Sequence, residues 1–131
     1  MEYMPISFCL CIFLVVIQTA SGIAEMFFWH KMGLSFAKHR DPKGLDSKNL
    51  RRAVDWAEFI AFNQGVYNLF LAAGLALSLG LNMAIHKEFA MFFAACVGIA
   101  GLSGVYTGIK AVFVIQAVPG FLLFAALYYG V

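Results

Sequence analysis

The chain has 131 residues, 63% of them hydrophobic and only 12% charged, with a mean hydropathy of +0.84. A soluble domain is roughly 25% charged, so this composition lacks the polar surface that keeps a protein dissolved, and the length allows one domain. The formal charge of +2 is concentrated in one stretch, a pattern that points to membrane topology and anionic lipid headgroups rather than to nucleic acid.

Taken in order, the first predicted span runs from about Pro5 to Trp29. Pro5 fits a first helical turn, where its missing N–H would have had no partner. The start Met1-Glu2-Tyr3-Met4 carries no positive charge, and the apolar run continues past the small residues Ala20-Ser21-Gly22 to Phe28. The segment therefore reads as a span rather than a cleaved leader. A basic connector over 31–52 follows, holding Lys31, Lys38, Arg40, Lys43, Lys48, Arg51 and Arg52, with Asp41-Pro42-Lys43-Gly44 as a turn signal. Its first part, Met32 to Ala37, suits the headgroup boundary.

The second span covers about 53–81, with Asp55 and Glu58 placed in its first turns at the positive end of the helix dipole. A short turn over Asn82–Lys87 leads to a third span at about 89–108 and, after Lys110, a fourth at 111–130. Each has about 20 residues or more, enough for roughly 30 Å of hydrocarbon. Every Lys and Arg except Lys87 falls in the first and third connectors. The positive-inside rule then puts those connectors in the cytoplasm and both termini outside. The expectation is an all-α integral membrane four-helix bundle, one domain over 1–131.

Polar groups recur inside these spans. Gln18, Gly22, Glu25 and Trp29 are spaced by four, three and four, and so share a face of the first helix. In the second, Trp56, Asn63, Tyr67 and Gly74 share a face, flanked by Gln64 and Asn68. The third offers a stripe of Gly98, Gly101 and Gly104 that reads as packing and leads to Ser103, Tyr106 and Thr107; the fourth offers Gln116 and Pro119. At about 1.5 Å per residue, Glu25 lies roughly 7 Å inside and Asn63 and Gln64 about 15 Å. Hydrocarbon solvates none of these groups, so they must face protein, water or a ligand.

Glu25 stands out, because a charged carboxylate in a span costs at least ~2.5 kcal/mol and must be paired, wet or protonated. It is a candidate acid or base, or a partner of Lys31 or Lys110. For the amides and Tyr67 the plain alternative is hydrogen bonding between helices. Trp29 and Trp56 read as interfacial anchors, and His30 as a headgroup-level side chain or a partner of Glu25 or Asp55. Cys9, Cys11 and Cys96 form no CxxC and read as buried small hydrophobes, with no metal site. No phosphate-binding glycine loop, HExxH or GxSxG occurs.

The run Asn63-Gln64-Gly65-Val66-Tyr67-Asn68-Leu69-Phe70-Leu71-Ala72-Ala73-Gly74-Leu75 resembles the signature of the domain-of-unknown-function family 1304, small four-span bacterial membrane proteins. Glu25-Met26-Phe27-Phe28-Trp29, Gly104-Val105-Tyr106-Thr107-Gly108 and Gln116-Ala117-Val118-Pro119 resemble it in the same order, and the basic connector is longer than the resemblance implies. The resemblance implies four spans and no particular activity. A weaker likeness, to membrane-associated eicosanoid and glutathione metabolism proteins, rests on Arg52-Ala53-Val54-Asp55-Trp56-Ala57-Glu58, with Asp55 in the place of an Asn. The third and fourth spans contain no Arg, so only the architecture carries over.

The leading expectation is a polar intramembrane pocket for a small or lipophilic ligand, lined by Glu25, Asn63, Gln64, Tyr67, Asn68, Tyr106 and Gln116. Two alternatives stand beside it: an enzyme acting on a lipophilic substrate with Glu25 as acid or base, and a structural or accessory subunit whose polar groups only join helices. Transport is the poorer fit, because the amides show no ion-filter pattern. No cofactor is specified. The expected partners are the bilayer, the ligand, and a second copy or larger membrane complex through the Gly74/Gly80 and glycine-stripe faces.

Overall fold

A computed structural model describes residues 6–40, 47–80 and 87–131, with backbone alone for His39, Arg40, Ser47 and Gly80. The expectations for Pro5, for the Asp41–Gly44 turn and for the turn before Lys87 lie outside the described residues. The described residues are almost wholly helical: α1 Ile6–Phe27, α2 Trp29–Arg40, α3 Ser47–Gly80, α4 Lys87–Tyr106, a π turn Phe113–Ala117, and α5 Val118–Tyr129. Three of these helices, α1, α3 and α4, are long and apolar enough to cross a membrane. The helical stretch 111–129 is apolar but shorter.

The basic connector is more helical than expected. Its Lys, Arg, Leu and Ala residues are good helix formers, and they extend both neighbouring elements. The Phe28 amide still bonds to Ala24, and Met32 to Phe28, so the hydrogen-bond ladder carries through the bend between α1 and α2. Because α3 begins at Ser47, Asp55 and Glu58 lie two to three turns inside it rather than at its positive end.

The residues divide into two compact units, one made of the chain up to Thr19 with Phe70–Val131, the other of Ala20–Leu69. In the first, Cys11, Leu14, Leu75, Ala94, Val97 and Leu123 form the core. Around it the helices approach through glycine: Gly74 lies against the Phe93 ring, Gly98 against Phe121, and Gly101 against the Ala117 backbone. A Cβ on Gly120 would stand 2.7 Å from the Gly98 nitrogen. The expected packing stripe is thus used inside the chain. Gly108, at φ +103°, supplies the left-handed residue that turns the chain after α4. In the same unit the Ser7 amide donates to the Val131 carbonyl at 3.3 Å, which brings the start of α1 to the end of α5.

In Ala20–Leu69, Gly22 touches Leu69 while Gly65 touches Met26, so these parts of α1 and α3 run antiparallel. The side of α3 that is covered here presents Val54, Ala61, Gly65 and Asn68, at intervals of seven, four and three that keep one helical face.

Candidate functional site

The polar chemistry inside Ala20–Leu69 gathers at the Gly22–Gly65 crossing. A Cβ on Gly22 would lie 2.8 Å from the Gly65 carbonyl oxygen, and one on Gly65 would lie 2.6 Å from the Gly22 carbonyl. Only hydrogen fits, so the two backbones touch. Beside this crossing the Asn68 amide donates from Nδ2 to Glu25 Oε2 at 2.7 Å. Asn68 is 3% exposed, and Glu25 is half-buried. The distance is that of a charge-assisted bond. A carboxylate offers roughly four acceptor positions, and among the described residues Asn68 is the one donor to it. Among the described residues the remaining oxygen has no donor, and its lone pairs can accept from a hydroxyl, an ammonium or water.

Toward α2 the same unit holds a second group. The Trp29 indole Nε1 donates to the Val54 carbonyl at 2.9 Å, tying the start of α2 to α3. His30 lies between two carboxylates, with Nδ1 3.4 Å from Asp55 Oδ1 and Nε2 3.5 Å from Glu58 Oε1. Only an imidazolium donates from both nitrogens. All three side chains are well exposed, so solvent screens the pairs. Leu34, Arg51 and Val54 border the open depression beside them.

The other sequence candidates are placed differently. Asn63, Gln64 and Tyr67 are exposed on α3; Asn63 and Tyr67 lie away from the stripe that carries Asn68, and Gln64, four residues before Asn68, lies at its edge. Tyr106, the last residue of α4, is 94% exposed. Gln116 is buried in the π turn. Of the seven, Glu25 and Asn68 are the two joined by a hydrogen bond among the described residues.

The unit containing α4 and α5 holds a cavity of about 230 Å³ lined by Ser7, Cys11, Ser78, Lys87, Leu123 and Leu127, among others, and by none of the seven candidates. Cys11 Sγ and Ser78 Oγ both donate to the Leu75 carbonyl, at 3.7 and 2.6 Å, and Lys87 Nζ donates to the Tyr128 carbonyl at 3.3 Å. Gln18 is fully buried, and neither polar atom of its side chain has a partner among the described residues. Its depth marked it as polar and buried; no spacing could show that its amide is left over.

A family model described as a protein of unknown function (DUF1304) matches residues 12–128. No curated protein and no solved structure matches the chain.

Proposed function

The chain belongs to the DUF1304 family, and from that premise we propose that it is a multi-pass membrane protein that binds a small or lipophilic ligand at Glu25 and Asn68. Four spans are inferred, with 111–129 as the fourth; at 1.5 Å per residue that stretch is about 28 Å long. The Ser7–Val131 hydrogen bond supports an even number of crossings, since it brings the two ends of the chain to one side. The basic residues around α2 and the start of α3 then favour a cytoplasmic position for that segment and an outer one for both termini, in a bacterial inner membrane.

The observation that carries the ligand reading is the Glu25–Asn68 bond itself. A carboxylate placed a few residues inside a span needs more than one donor, and the glycine crossing brings backbone rather than further donors to it. A ligand with a hydroxyl or amine head and an apolar body meets both needs: its head completes the carboxylate, and its body replaces lipid. In this reading Glu25 supplies the acceptor and Asn68 holds it in position.

Native mass spectrometry of the protein released from membranes tests this. Wild type is expected to retain one defined small molecule that is lost from Glu25→Gln and Asn68→Leu. Bare protein, or the same bulk lipids in all three, would show instead that the pair only joins α1 to α3. Thiol labelling of a cysteine placed at Lys48, from the inner side alone, tests the orientation.

A further inference from the structure

Within Ala20–Leu69, α3 has two unlike faces. Val54, Ala61, Gly65 and Asn68 are covered, whereas on the opposite side Trp56 is 82% exposed, Ile60 72% and Tyr67 59%, with Asn63 exposed between them. Trp56, Ile60, Asn63 and Tyr67 follow one another at intervals of four, three and four. That is the spacing of the inward positions of a two-stranded coiled coil. Phe59 and Gln64, both exposed, flank the row, and no charged residue lies in it.

We propose that this face pairs with the same face of a second copy of the chain. The inference rests on α3 crossing the membrane, as proposed above. A solvent-facing amide needs no explanation, but lipid offers neither donor nor acceptor to Asn63 and Gln64. Two copies inserted with the same topology are related by a twofold axis along the membrane normal. Each residue then meets its own counterpart at its own depth. An amide carries both a donor and an acceptor, so Asn63, inside the row, can pair with Asn63 of the other copy, and Gln64, at its edge, lies where the flanking residues of the two helices meet. An unrelated helix would need matching polar groups at the same level. The acidic residues do not oppose the pairing, because Asp55 and Glu58 point away from the row and toward His30. Of the glycines that a sequence reading would choose for self-association, Gly74, Gly98, Gly101 and Gly104 each meet a neighbour inside the chain closer than a Cβ allows.

Single cysteines at Ile60, Asn63, Tyr67 and Phe62, in a chain whose Cys9, Cys11 and Cys96 are replaced by alanine, are oxidised in native membranes. Covalent dimers are expected at 60, 63 and 67, where the helices come within disulfide reach. Phe62, exposed but about a third of a turn off the row, is expected to give none. Photobleaching-step counting of wild type in liposomes gives a second readout without altered cysteines. Dimers are expected there, with Asn63→Leu/Gln64→Leu raising the dimer dissociation constant about tenfold. Monomeric wild type, or dimers at 62 as abundant as at 63, would overturn the pairing. Release of wild type from membranes by alkaline carbonate would remove its premise instead, and the two failures are read separately.

Discussion

In the unit built from α4, α5 and the adjoining parts of α1 and α3, helices meet glycine to backbone and glycine to ring, and the core residues are aliphatic, alanine or cysteine. In Ala20–Leu69 the Gly22–Gly65 crossing and the approach of Gly33 to Val54 lie among side-chain bonds: Asn68 to Glu25, Trp29 to Val54, and His30 between Asp55 and Glu58. Between helices in lipid, close packing and hydrogen bonds replace hydrophobic burial as the source of association. The two units draw on these sources in different proportion. Where close packing contributes most, added volume is the damaging change; where polar bonds contribute more, loss of a donor is.

The largest effect is therefore expected in the glycine-packed unit. Gly120→Val forces a branched side chain toward the Gly98 nitrogen and the Ala94 carbonyl and should lower stability by about 3 kcal/mol, seen as a large fall in the thermal transition in detergent. Next comes Asn68→Leu, which strips the donor from the Glu25 carboxylate and should lower stability by about 1–2 kcal/mol. Glu25→Gln keeps an acceptor for the Asn68 amide, so its thermal transition should stay closer to wild type than that of Asn68→Leu. Trp29→Phe removes the indole donor to Val54 and should cost about 1 kcal/mol, with faster hydrogen exchange at the start of α2. The smallest change is expected for His30→Gln, within about 0.5 kcal/mol, because its partners are exposed and screened. If Asn68→Leu proved harmless while Gly120→Val did not, packing alone would account for both units.

The all-helical character and the long apolar segments were legible in the composition and spacing, and so was Glu25 as a carboxylate within an apolar helix. The identity of its partner followed less directly. Asn63, Gln64 and Asn68 are equally polar, and the inward face of a helix in lipid cannot be told by hydrophobicity, since both sides are apolar. Size separates them: the covered stripe carries Ala61 and Gly65, whereas the open row carries Trp56, Ile60 and Tyr67. Reading Gly22 with Gly65 as a crossing point would have selected Asn68. The same face of α3 that is open at Asn63 and Tyr67 is filled by Phe93 at Gly74, so a face traced by periodicity alone merges two environments. Charge misled at the connector: seven basic residues imply a loop for topology, yet Lys and Arg favour helix locally, and α2 and the first turns of α3 formed there.

The π turn Phe113–Ala117, closed by the Val118 amide bonding back to the Phe113 carbonyl, bears on how the chain tolerates changes of length. Along α4 the close approaches fall at Gly98, Gly101 and Gly104, while their partners fall at Phe121, Ala117 and Val112. Those partner intervals are four residues and then five. An α-helix returns to the same side after about 3.6 residues, so the five-residue step is the one that the wider π turn accommodates. Deleting one residue between Phe113 and Ala117 would leave two ordinary turns with the same inward partners. A deletion between Ala117 and Phe121 would rotate one contact out of line. Homologous chains one residue shorter are therefore expected to carry the gap within 113–117, where alignment gaps would otherwise look like damage to a helix.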